Sequence, residues 1–410
     1  MKRKLSRRDF LKGSLSVAAC CGAIGSYNPL TCLAQSSGGN GKRLVIVNLY
    51  GGADGMSWLV PYRNSVYYQR RPTLAIPSSQ VIPIDSQVGF NSAWSDMLQV
   101  WLDQQMAVIQ KVGYPEADLS HFESQDVWSI GKRAKSADDE GWVGRLADLY
   151  FSSSFDVCGV GVGMERDFVT SRADVRPLVL WGLEDYQLST EWRNWRDSQY
   201  RREIEQQMRL AHSDAQGLQA NVHTAFQGVY SSLDTIANVH ANYSSSVAYP
   251  ENELGWRLSQ VAELIHGNIG TKVLYTGFHG WDTHEGQQNR FQTLLSGTAS
   301  AMAAFVQDLK NMGRWNDTLV LVISEFGRNT YENGSAGTDH GHGNNIVALG
   351  GQVNGGFYGP GLSEDDLRQE YLDYEFDFRC VLKEAIRYIG YNPDPVFTEI
   401  IPNEQRVRYV

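Results

Sequence analysis

The chain has 410 residues, 42% hydrophobic and 20% charged, with a formal net charge of −10 at pH 7. That balance describes a soluble globular protein with ample core, either two domains or one large α/β domain carrying an insert. The acid excess excludes nucleic acid as an expected partner, because phosphate backbones reward Lys and Arg.

The chain opens on an export signal. "SRRDFLK" (6–12) pairs Arg7 with Arg8, a short apolar stretch follows, and small residues precede a cut after Ala34. Paired arginines specify the twin-arginine route, which implies a periplasmic or extracellular protein. That route carries folded proteins, often with a cofactor loaded, and so favours a metal or redox centre. The apolar run is too short and too interrupted to span a bilayer, so no stable membrane span is expected after signal removal. Removing 1–34 takes six basic residues and one acidic, leaving 30 against 45 and a net charge of −15. A Gly/Ser linker covers 35–42. Of the five Cys, Cys158 and Cys380 remain; they can pair in an oxidising compartment, but two thiols do not make a disulfide scaffold.

The first element is a buried strand, 44–49, running into a Gly-rich turn with Asp54. A helical spacing follows at 93–103, with Trp94, Met97, Leu98 and Trp101, and then a second strand at 106–113. Further apolar runs lie at 176–183, 271–284, 317–328 and 345–351. Continuous runs, rather than alternation, indicate strands covered on both faces. The stretch 289–312 repeats Phe291, Leu295, Met302, Phe305 and Leu309 at helical intervals. Strands alternating with helices predict a doubly wound, mostly parallel sheet in one domain, 43–410. The polar, strandless block 185–266 reads as an inserted helical cap.

Acids and imidazoles gather at the ends of these strands. Asp54 follows the first, and His279, Asp282 and His284 follow the run from 271. Glu325 ends the next, and "GTDHGHGN" (337–344) brings Asp339, His340 and His342. Ligands of open α/β sheets bind at the carboxyl ends of strands. Residues two apart in an extended segment face one way, so Asp282 with His284, and His340 with His342, can each address one centre. Mixed carboxylate and imidazole donors suit Zn, Mn or Fe better than Mg or Ca, and their number permits one or two divalent metals, Zn or Mn foremost. Taken singly, each residue has a plainer explanation: Asp54 as a turn residue, Glu325 as a helix-start charge, His279 as a packed imidazole.

"SHFESQD" (120–126) carries two readings. Ser120 and Glu123 form a capping box; alternatively Ser120 is a nucleophile at a helix N-terminus, with His121 as a ligand or proton donor beside it. Arg328 has the forked donors to clamp an anionic oxygen.

Together, "LYGGADGMSWLVPY", "RPTLAI", "SHFESQDVW", "GWVGRL", "GWDTH", "SEFGR" and "GTDHGHGN" resemble the exported bacterial domain-of-unknown-function family 1501, placed in the alkaline phosphatase and sulfatase superfamily. The resemblance implies an alkaline phosphatase-like fold and two metals. It implies that Asp54, Asp282, His284, Glu325 and His340 or His342 are metal ligands, and that Ser120 lies in the nucleophile's region. Phe326 stands where the superfamily has a His, and Asp282 and His284 have one residue between them where phosphatases have three. The Cys-x-Pro-x-Arg signature of formylglycine sulfatases is absent. The expected activity is hydrolysis of phosphate or sulfate esters, possibly polymeric, with Ser120 or an activated water as nucleophile. The alternative is a non-catalytic metal-binding protein outside the cytoplasm that binds a glycan or protein partner.

Overall fold

The computed structural model describes residues 41–133, 140–151, 159–163, 178–184 and 233–410, with isolated positions between 186 and 207. The expected signal (1–34), most of the linker and Cys158 lie outside the described residues; Cys380 is buried as a free thiol. Among the described residues no helix is long and apolar enough to cross a membrane.

Twelve strands are described: β1 (Arg43–Tyr50), β2 (Leu59–Val60), β3 (Val81–Pro83), β4 (Gly89–Asn91), β5 (Met106–Gly113), β6 (Gly159–Val162), β7 (Leu178–Leu180), β8 (Val273–His279), β9 (Thr318–Ile323), β10 (Asn344–Leu349), β11 (Gly356–Tyr358) and β12 (Phe376–Asp377). Nine form one sheet, in the order β11-β5-β10-β9-β1-β8-β6-β7, with β12 also on β5; β2, β4 and β3 make a small separate sheet. The pairs β9–β1–β8–β6–β7 are all parallel, and only β10 runs against its neighbours β9 and β5.

Alternating residues of the central strands feed two cores, one on each face. Val45, Val47, Val320 and Val322 pack with Phe291, Met302, Phe305 and Leu309 of the helix Gln287–Asn311. Leu44, Ile46, Leu319 and Leu321 pack with the helices Trp142–Tyr150 and Phe378–Tyr388. This double coverage explains why β9, TLVLVI, is buried at all six positions. The fold is therefore α/β, doubly wound and mostly parallel, as the apolar runs implied.

The block 185–266 lies largely outside the described residues. Its end does not: the helix Glu253–Gly267, capped by Asn252 on the Gly255 amide (2.7 Å), buries Leu258, Val261 and Leu264 in the first core. That helix belongs to the sandwich layer.

One glycine fixes the topology near the site. Gly51, just past β1, has φ +121°, and a Cβ there would meet the Asp282 amide nitrogen at 2.4 Å. Only glycine tolerates both the backbone angle and the approach. The ends of β1 and β8 can therefore touch.

Candidate metal centre

The carboxyl ends of β1, β5, β8 and β9 and the amino end of antiparallel β10 meet at one edge of the sheet. Each contributes its following or preceding loop. His121 arrives on the helix His121–Ile130 after β5, Asp282 and His284 after β8, Glu325 and Arg328 after β9, and His340 just before β10.

His121, Asp282 and His340 each present one ligand atom, all within 4.8 Å of one another. His284 adjoins them, its Nε2 lying 3.0 Å from Asp282 Oδ1 and 2.9 Å from His340 Nε2.

The hydrogen bonds fix which nitrogen of each ring is free. His121 Nδ1 lies 2.9 Å from Glu325 Oε1, His284 Nδ1 2.8 Å from Asp339 Oδ1, and His340 Nδ1 2.7 Å from the Leu119 carbonyl. All three partners are acceptors, so each Nδ1 carries a proton, and in the neutral rings each Nε2 offers a lone pair; a ring protonated at Nε2 as well would donate to Asp282, 3.0 Å from His284 and 3.3 Å from His340. His121 Nε2 is buried without a hydrogen-bond partner, its 3.4 Å approach to Asp282 Oδ2 being too poorly aligned to count as one. With both rings neutral, the His284 and His340 lone pairs face each other across 2.9 Å. Either one ring takes a second proton or a cation lies against both.

Burial, the largest influence on His340, lowers its pKa and so disfavours the extra proton there, against a smaller push upward from its Leu119 bond. Two imidazoles on one ion at about 2.0–2.1 Å bring their nitrogens to about 2.9–3.4 Å of each other, which matches this pair. An orphaned buried nitrogen, two opposed lone pairs and a carboxylate fit a divalent transition metal. A carboxylate or carbonyl behind each ring is also the usual outer support of a metal-bound His.

Asp282 is ionised. Burial alone would raise its pKa, but the hydrogen bond and charge of Arg328, aided by His284 and His121, bring it to about 2. Arg328 does this from inside the protein, at 1% exposure. Its Nε and one terminal nitrogen donate to the carbonyls of Gly52 (2.6 Å) and Thr338 (2.8 Å). The other terminal nitrogen reaches the carbonyls of Gly51 and Trp281 and, at 2.7 Å, Asp282 Oδ1. The expected anion clamp is thereby corrected, because a guanidinium so saturated has no fork left for a ligand. Arg328 orients Asp282.

Glu325 is likewise a supporting group and not a direct ligand. It is 3% exposed, and its Oε1 accepts from the Gly51 amide, Gln125 and His121 while Oε2 faces Ser324. Burial would raise its pKa, yet the bond from His121, followed by those from the backbone and Gln125, holds it down. In return Glu325 raises the basicity of His121, a gain for a metal ligand. Glu325→Gln is expected to weaken divalent-metal affinity by about 10- to 100-fold, read by titrating metal into stripped protein. Unchanged affinity would mean that His121 holds no metal.

Two expected ligands lie elsewhere. Asp54 is 1% exposed and caps the helix Gly55–Trp58 through the Met56 amide. Its remaining capacity goes to Ser57 (2.6 Å), Gln287 (2.7 Å) and a two-pronged ion pair with Arg71 (2.5 and 3.2 Å). His342 also misses the centre. The chain bends at His342 and does not continue as a strand, so the two-residue alternation with His340 fails. Its Nε2 lies 2.6 Å from the Tyr114 carbonyl, and its ring packs among Tyr114, Tyr371 and Tyr374.

Ser120 occupies the N-cap position of its helix, but its side chain caps nothing, so the capping box with Glu123 does not form. It sits between Leu119, whose carbonyl holds His340, and His121 itself. Leu119 has φ +59°, a left-handed angle unusual for Leu, and this turn aims its carbonyl at His340. Sequence reasoning passed over Leu119, Gln125, Arg71 and Gln287. Only Gln125, one helical turn beyond His121, carried a legible signal.

The family described as "Protein of unknown function (DUF1501)" matches residues 101–407. No curated protein matches. Among solved structures, the PsFucS1 sulfatase from Pseudoalteromonas sp. is 10% identical, covering 98% of this chain and 78% of that one with a TM-score of 0.37. A protein in the alkaline phosphatase superfamily from Vibrio parahaemolyticus is 10% identical, with coverages of 98% and 80% and a TM-score of 0.36. The lipoteichoic acid synthase LtaP from Listeria monocytogenes is 9% identical, with coverages of 93% and 79% and a TM-score of 0.39. At such scores these likenesses decide nothing about chemistry.

Proposed function

The chain belongs to the DUF1501 family, proteins of unknown function, and on that premise we propose that it is an exported hydrolase of phosphate or sulfate esters that uses a divalent metal. The observation that carries the reading is the convergence of three Nε2 atoms, from His121, His284 and His340, on the Asp282 carboxylate. His121, Asp282 and His340 would hold the ion, with His284 completing the set; Zn or Mn suits these donors. A bound divalent ion supplies Lewis acidity to the ester and helps generate a nucleophile at neutral pH.

The protein's own groups prepare that chemistry. Arg328 keeps Asp282 charged and fixed. Glu325, Asp339 and the Leu119 carbonyl hold the three imidazoles in the tautomer that binds metal. Ser120, with no capping duty, has its hydroxyl at the amino end of the helix that carries His121, where the helix dipole favours an anionic oxygen. It is the nucleophile of choice among the residues at this edge.

Purified protein loaded with Zn or Mn is expected to cleave at least one of three probes: an aryl phosphate monoester, an aryl phosphodiester or an aryl sulfate. A chelator should abolish the activity and added metal should restore it. A fully metal-loaded protein that leaves all three intact would defeat the hydrolase reading in favour of a non-catalytic metal-binding protein.

A further inference from the structure

A stacked pair of rings stands beside the metal centre. Tyr50 and His279 are register partners and the last residues of β1 and β8. Their rings stack with centroids 4.7 Å apart and planes 16° from parallel. Side-chain alternation along β1 and β8 puts both on the face of Ile46 and Tyr275. That same face carries the helix delivering His121, whose Val127 and Trp128 lie in the same core.

Gly277 makes the stack possible, since a Cβ there would come within 2.8 Å of Tyr50 Cε2. His279 is exposed and Tyr50 half-buried, so the imidazole forms the outer layer. The stack adjoins the centre through the backbone. Gly51, one peptide unit beyond Tyr50, donates to Glu325 (2.8 Å) and abuts the Asp282 backbone. Phe122, the residue after His121, is 85% exposed, so the edge offers a second unpaired ring.

Resting on the hydrolase reading, we infer that the His279–Tyr50 stack is the platform for the organic part of the ester, and that this part presents a ring face, the π face of an aryl group or the C–H face of a pyranose. A ring whose inner face is already stacked is held in one orientation, and its open face can receive another ring face at little further ordering cost.

The test measures binding of three non-hydrolysable probes to metal-loaded protein by calorimetry: phenylphosphonate, glucopyranosylmethylphosphonate and methylphosphonate. The ring-bearing probes are expected to bind about 2- to 10-fold more tightly than methylphosphonate. His279→Ala should erase that preference, and His279→Phe should keep it. A preference for phenylphosphonate alone assigns an aryl ester, and one for glucopyranosylmethylphosphonate alone assigns a pyranose ester. Equal binding of all three, or a preference that survives His279→Ala, overturns the platform and leaves the metal centre standing. Failure of all three to bind also overturns the platform, while cleavage of the three aryl probes decides the hydrolase reading separately.

Discussion

Replacing Asp282 with Ala is expected to strip the protein of its divalent metal while leaving it folded. Among the described residues the carboxylate is the one anionic group touching all three imidazoles, at 3.0 Å from His284, 3.3 Å from His340 and 3.4 Å from His121. Losing it removes a ligand atom and the negative charge that offsets the ion. Disturbing only an outer partner of a metal ligand costs about 10- to 100-fold in affinity, so loss of the ligand itself should exceed that range. The fold should survive, because Asp282, unlike the buried Asp54, is exposed, so water can take the place of its carboxylate beside Arg328, which keeps the carbonyls of Gly51, Gly52, Trp281 and Thr338 as acceptors. Elemental analysis of wild type and variant, beside their thermal melts, separates the two effects. Equal metal content in both would remove Asp282 from the centre, and the hydrolase reading would lose its main support.

How much of this was legible beforehand depends on whether a residue's role is local. Each of the six apolar runs contains a strand, because a segment buried on both faces must be apolar at every position. β6, Gly159–Val162, escaped notice since alternating glycines hide the pattern, and β11 and β12 are too short to show one. At the site, Asp282, His284, Glu325 and His340 lie together because the sheet brings its strand ends together. His121 joins them from a stretch that also read as a helix cap. Legibility fails where a distant partner decides the role. Nothing near Arg328 announces that four carbonyls, three of them from two other loops, absorb its donors. Nothing near His342 announces that the chain bends there toward Tyr114.

Asp54 is the sharpest such case, and its variant has the second large effect. Asp54→Ala is expected to destabilise the protein by about 3–5 kcal/mol, because Arg71, fully buried, would be left charged and without its counterion. Burial pushes the Asp54 pKa up, but the charge and hydrogen bonds of Arg71, with Ser57 and Gln287, more than reverse this and hold it below the ordinary 3.8. A carboxyl depressed in the folded state stabilises above its unfolded pKa and loses that contribution as pH falls through the folded value. Wild-type stability should therefore decline on acidification below about pH 4, where carboxylates of ordinary pKa begin to take up protons, and the variant should decline less over that window. Replacing Arg71 with Met in the same variant should recover part of the loss, since an apolar side chain tolerates the vacated site. Metal content separates this role from the one its place after β1 suggested. An Asp54→Ala protein that is less stable yet fully loaded makes Asp54 a buried counterion, whereas loss of metal to the extent seen with Asp282→Ala would restore it as a ligand.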